Sequence, residues 1–427
     1  MQAVLPYSER TPQALNEELS HVRAAYAALK AKNLHLDMSR GKPGKAQLDL
    51  VNDILNYPAA EDFNLDGFDA RNYGQLAGMP SARKLFAELL GTRPEEVFVG
   101  GNASLSLMYS VISKAYTHGL LHSPRPWCKE EIVKFLCPVP GYDRHFKISE
   151  SFGMEMIPIP MTPEGPDMDL VERWAADPMV KGMWCVPKYS NPQGITYSDA
   201  TIDRIARLQH AAPDFVLMWD NAYCVHEFEG DFIPFRDILT LCRENGNADM
   251  VFEFASTSKI TFPGAGVACF ATSEEQLQYM QTLLGVEIIS YDKVNQLRHV
   301  RYLQDKAHTL ALMKRHAAIL APKFHAVLDA LEREIAPLGI ATWQKPTGGY
   351  FISLDAMPGT AKRTLELCRQ AGVVMTSAGA TYPLGKDPHD SNIRIAPSLP
   401  PVEELEQAIA VLCTCLKLSA LEKLLQK

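Results

Sequence analysis

The stretch MVFEFASTSKIT, residues 250–261, runs from an apolar segment into three hydroxyls and a single ammonium, Lys259. Aromatic and β-branched residues suit a buried strand over 250–255, so the lysine stands where that strand ends. The same pattern recurs along the chain in VFVGG (97–101), IVKFLCPVP (132–140), MEMIPIPM (154–161), GMWCVPK (182–188), FVLMWD (215–220) and VACFAT (267–272). Short strands apolar on both faces, alternating with helical stretches, predict an α/β fold with a mostly parallel seven-stranded sheet between helices. Ligands bind beyond the carboxyl ends of such strands, where loops and helix starts converge.

Working outward, 427 residues suffice for two domains, and 47% hydrophobic with 22% charged residues is a soluble globular balance. A formal charge of −8 and the lack of a Lys/Arg block argue against nucleic acid and for small-molecule partners. Nine cysteines without a C-x-x-C pair fit a reducing cytoplasm, and neither an export signal nor a membrane span is expected. Thr11 and Pro12 read as the cap and first residue of an amphipathic helix. A helical region from Asp292 to about Leu338, with an interruption near Pro322, leads out of the large domain, and Pro400-Pro401 opens a last helix. The expected division is residues 1–55 and 321–427 in a smaller α/β domain, with 56–320 as the large one.

Four other strand ends carry chemistry. GGNAS (100–104) is a small-residue turn entering a helix, which suits a phosphate. PGY places Tyr142 at a sharp turn, YSNPQG offers Asn191, and DNAY sets Asp220 and Tyr223 three residues apart. A phosphate site, an aromatic platform, an amide, a carboxylate with a phenol, and a lysine among hydroxyls together fit a planar phosphorylated aldehyde. Pyridoxal 5'-phosphate needs these groups: a carboxylate to keep its ring nitrogen protonated, a lysine for its aldehyde, and hydroxyls and amides for its phosphate.

With these motifs in this order the sequence resembles the fold-type I pyridoxal-phosphate aminotransferases of class I/II, closest to the bacterial aspartate aminotransferases of subgroup Ic. The likeness runs from LDMSRGKPG (36–44) through NYGQLAGMPSAR (72–83), YSNPQG, DNAY and STSK to SNIRIAPS (391–398), with Asp220 and Lys259 39 residues apart. The resemblance implies that Lys259 forms the internal aldimine and moves the α-proton. It implies that Asp220 pairs with the ring nitrogen, that Tyr223 and Asn191 bond the phenolic oxygen, and that Tyr142 stacks on the ring. Asn102, Ala103, Ser104, Ser256 and Ser258 would hold the phosphate, with Tyr73 from a neighbouring subunit of a homodimer that shares its active sites. Arg394 would grip the substrate α-carboxylate, with Gly41 and Asn191 beside it. The implied reaction is ping-pong transfer of the amino group from L-aspartate to 2-oxoglutarate.

The likeness departs in two places. Where many relatives have P-G-x-R after the lysine, this chain has PGAG, with Gly266 in place of the arginine. Between Thr272 and Asp292 it has no Arg or Lys to read a distal carboxylate across the dimer. Arg40 and Lys42 are the first candidates for that task and Arg144 the next. The cofactor would equally serve aromatic or other amino donors, or a β-lyase. The fold also occurs as a non-catalytic ligand-sensing domain in DNA-binding regulators, against which stands a chain that starts directly in the aminotransferase segment. SRGKPGK lacks the first glycine of a nucleotide-binding loop. His118 and His122 lie near Cys128 but lack a second ligand pair, so no metal is expected.

Overall fold

The computed structural model describes residues 5–426. Residues 1–4 and 427, the outer ends of the first and last expected segments, lie outside them. Eight strands form the main sheet: β1 (Val97–Val99), β2 (Lys134–Val139), β3 (Glu155–Thr162), β4 (Gly165–Pro166), β5 (Val180–Cys185), β6 (Val216–Asp220), β7 (Val251–Ser256) and β8 (Ala268–Ala271). Their order is β1-β8-β7-β6-β5-β2-β3-β4. Neighbours from β7 to β3 run parallel, and β8 lies antiparallel between β1 and β7. The seven expected strands are all present. The eighth, β4, is a two-residue antiparallel return against β3, too short to leave an apolar run in the sequence.

Period-two alternation divides the strands between two cores. Val216 and Met218 face one side with Phe135, Trp184 and Phe254, covered by the helices Ser104–Thr117 and Asp143–Ser151. Leu217 and Trp219 face the other with Leu136, Met183 and Val251. A third core joins Leu15, Leu19 and Val22 of the helix Pro12–Lys30 to Leu354, Ile395, Leu405 and Leu412. Thr11 caps that first helix by accepting from Ala14 N at 3.3 Å.

The helical region after Asp292 breaks elsewhere than expected. Its helices span Lys293–Leu303 and Lys306–Glu334, and the break falls at Gln304, where φ is +60°. Pro322 stays inside the second helix, because Leu320 and Phe324 on either side of it are locked into the third core.

Candidate active site

The parallel strands end on one edge of the sheet, and a cavity of about 570 Å³ opens there. Of the residues singled out from the sequence, Tyr142, Asn191, Asp220, Tyr223, Lys259 and Arg394 line it, as do Arg40, Gly41, Lys42, Ser104 and Arg144. Ser256 and Ser258 lie half-buried in the lysine turn and bond each other at 3.1 Å, outside the cavity wall. Asn102 is exposed and Ala103 half-buried ahead of the helix Ser104–Thr117. Tyr73 is 80% exposed and is not among the residues that line this cavity.

The lysine turn is tied down around Lys259 rather than through it. Thr257 N donates to Val267 O at 2.8 Å, and Val267 N returns a bond to Thr257 Oγ1 at 2.9 Å. Thr261 Oγ1 meets His299 Nε2 at 2.9 Å, while His299 Nδ1 donates to Asn295 O. Lys259 Nζ lies 4.9 Å from the Tyr223 ring centroid and 5.8 Å from that of Tyr350. Among the described residues no acceptor bonds it. Burial holds its amine below the ordinary lysine range, with the Asp220 charge pulling the other way.

Asp220 ends β6 on the face of Val216 and Met218 and is buried. Its Oδ2 accepts from His145 Nε2 at 3.0 Å, and its Oδ1 has no partner among the described residues. His145 stacks on Trp184 with centroids 4.4 Å apart and an interplanar angle of 11°. The sequence reading missed His145; its signal was a histidine three residues after Tyr142, one helical turn into the helix Asp143–Ser151. Burial pushes the Tyr142 phenol up to about 12 and raises that of Tyr223 well above the ordinary tyrosine range.

Arg394 is buried with its guanidinium spread over four groups. Nη1 donates to Asp143 Oδ1 at 2.9 Å and Asn191 Oδ1 at 3.2 Å, and Nη2 reaches Thr376 Oγ1 at 3.3 Å. The guanidinium carbon sits 4.8 Å from the Phe351 ring centroid. Thr376 donates onward to Ser39 O at 2.7 Å, which docks the SRGKPG segment. A Cβ on Gly41 would lie 2.3 Å from Phe351 Cζ, so this close approach requires glycine. Asp143 and Thr376 were also missed, being 251 and 18 residues from Arg394.

Gly266 is packed as well as substituted. A Cβ there would meet Phe262 O at 3.0 Å and Thr257 Oγ1 at 3.2 Å, and Asn295 Nδ2 holds the turn through Gly266 O at 2.9 Å. His122 pairs with Asp249 at 2.8 Å.

A family model described as aspartate amino-transferase matches residues 10–427. An aspartate aminotransferase of Corynebacterium glutamicum is 49% identical over 402 residues, which are 94% of this chain and 93% of that protein. The crystal structure of an aspartate transaminase from C. glutamicum is similar with a TM-score of 0.97 and 47% identity, covering 99% of this chain and 100% of the other. The α-aminoadipate aminotransferase of Thermus thermophilus, complexed with N-(5'-phosphopyridoxyl)-L-leucine, shares the fold at 21% identity and a TM-score of 0.73, over 96% of this chain and 98% of its own.

Proposed function

Since this chain belongs to the aspartate aminotransferase family, we propose that it uses pyridoxal 5'-phosphate to pass the amino group of L-aspartate to 2-oxoglutarate, in two half-reactions at one site. The observation that carries the cofactor reading is a pair of unsatisfied groups facing one cavity: Asp220 Oδ1, buried without a partner, and Lys259 Nζ, without an acceptor among the described residues. A buried carboxylate oxygen left bare is costly unless a ligand donor completes it, and a protonated ring nitrogen is such a donor.

When bound, the cofactor supplies an aldehyde for the amino group and a ring that draws electrons from the α-carbon. Asp220, oriented by His145, holds the proton on the ring nitrogen. Asn191 and Tyr223 bond the ring's phenolic oxygen, and Tyr142 covers its face. Asn102, Ala103, Ser104, Ser256 and Ser258 hold the phosphate, with the helix start at Ser104 taking the place of the cation missing at Gly266. Arg394 binds the substrate α-carboxylate, with the Gly41 backbone beside it. Lys259 Nζ takes the proton from the α-carbon, and burial disfavours the charged form of that amine, which suits it to this work. Arg40, held between Ser39 and Gly41, reads the distal carboxylate, supported by Lys42.

We further assign the small domain to residues 1–55 and 321–427 and the large one to 56–320. A homodimer in which Tyr73 reaches the partner's phosphate site is supported by the exposure of that tyrosine. Nine free cysteines support a cytoplasmic setting, and no described helix is long and apolar enough to cross a membrane. The test is the absorbance of the purified protein. A visible band should move to the near ultraviolet with L-aspartate alone and return with 2-oxoglutarate. A band indifferent to aspartate overturns the substrate, and one that survives in Lys259→Ala overturns the site.

A further inference from the structure

Behind Lys259 lies a line of buried polar groups that the chemistry above does not use. Tyr350 Oη accepts from Gln47 Nε2 at 2.9 Å, and Gln47 Nε2 also meets His316 Nδ1 at 3.3 Å. His316 Nε2 lies 3.0 Å from Ile260 O. The directions are forced. A carbonyl only accepts, so His316 carries its proton on Nε2 and leaves Nδ1 as an acceptor. Gln47 must then present its amide nitrogen to both partners, which frees Oε1 to accept from Gly44 N at 3.3 Å. Gln47, His316 and Tyr350 are each at most 1% exposed. Burial lowers His316 to about 4, which keeps the imidazole neutral and this pattern fixed.

Both ends of the line reach Lys259, one through the peptide of Ile260 and the other through the Tyr350 ring face 5.8 Å from Nζ. Its middle rests on Gly44, at the end of the segment carrying Arg40, Gly41 and Lys42. We propose that Gln47, acting through Tyr350 and His316, is a positioning residue that sets the aim of the Lys259 amine and couples it to the seating of segment 39–44 on a bound substrate. Three buried polar groups that satisfy one another where apolar ones would also pack fix each other's orientation. The proposal rests on Lys259 being the proton-moving lysine.

The test measures the pH midpoint for acylation of the Lys259 amine in cofactor-free protein, by peptide mass spectrometry, alongside kcat and KM for L-aspartate. The groups around that amine are Asp220, Tyr223, His226 and Tyr350, with Tyr142 and Arg394 across the cavity, and the single variants leave all of them unchanged. Gln47→Met and His316→Leu keep volume but break the line. They should shift the midpoint by about half a unit or more as the amine loses its fixed setting, and lower kcat about tenfold. His316→Gln offers a donor to Ile260 O and an acceptor to Gln47, and should restore both. Gln47→Met combined with Tyr350→Phe should be no worse than Gln47→Met alone. Unchanged midpoints, additive losses, or failure of His316→Gln to rescue would overturn the proposal. Acylation needs no cofactor, so a wrong assignment of Lys259 shows separately, as a visible band that survives Lys259→Ala.

Discussion

Two lysines each follow a strand of the main sheet by three residues, the buried Lys188 after β5 and the half-buried Lys259 after β7. Lys188 Nζ donates to Glu227 Oε1 at 2.5 Å, Ile233 O at 2.8 Å and Cys224 O at 3.0 Å, so its three hydrogens meet three acceptors. Lys259 Nζ meets two tyrosine faces instead. One ammonium is saturated and fastens the loop 224–233; the other is left open and its basicity falls. Position in the fold is therefore not what makes a lysine chemical. The difference lies in which acceptors its neighbours withhold.

The largest effect that would break this contrast is on turnover. Lys259→Ala should cut kcat/KM for L-aspartate by about 10⁴-fold while leaving the urea midpoint near that of the parent. Lys188→Met should do the reverse, destabilising by about 3–5 kcal/mol because Glu227 is stranded, and adding Glu227→Gln should recover most of that loss. If Lys188→Met proves neutral, saturation by acceptors is not what that lysine provides.

Asp220→Asn extends the contrast to the carboxylate with one free oxygen. It should lower kcat by about 10²–10³-fold with the protein still folded, as judged by its near-ultraviolet circular dichroism. Arg40 and Lys42 line the cavity as exposed side chains with no ion-pair partner among the described residues, so both are free to turn to a ligand. Arg40→Ala should raise KM for aspartate about tenfold relative to alanine, with Lys42→Ala smaller. Equal losses for both donors would remove Arg40 from the distal carboxylate.

The smallest effect concerns satisfied groups. Burial lowers His299 and His316 from 6.5 to about 4. Between those values the unfolded chain binds protons that the folded one refuses. Stability is therefore fully present above pH 6.5 and is lost as pH falls toward 4. Each histidine should contribute up to about 1.4 kcal/mol of loss between pH 6.5 and 5.5, read as a falling urea midpoint. His299→Gln should flatten that slope.

The strands and their chemical ends were legible because each is a local pattern: an apolar run, then Asp220, Asn191 or Lys259. What failed to show were partners joined only by the fold. His145 reaches Asp220 across 75 residues, Asp143 reaches Arg394 across 251, and Gln47 reaches Tyr350 across 303. Short elements also escaped, since the two residues of β4 hold no periodicity. Pro322 misled for a physical reason: a proline weakens a helix by a fixed local amount, and packing of Leu320 and Phe324 outweighs it. The true break at Gln304 depends on a positive φ that glutamine does not advertise.

The helix Lys306–Glu334 is also a beam between two cores. Leu312 and Met313 are set in that of Leu217 and Trp219, and Leu320, Phe324 and Val327 in that of Leu354 and Ile395. Pro322 removes the rung that would join it to Ala318 O, so the beam is notched close to where it passes from one support to the other. Bending stiffness is lowest at a notch. Any flexing of this helix will concentrate its curvature there, between the turn that carries His316 and the turns packed in the core of Leu354 and Ile395.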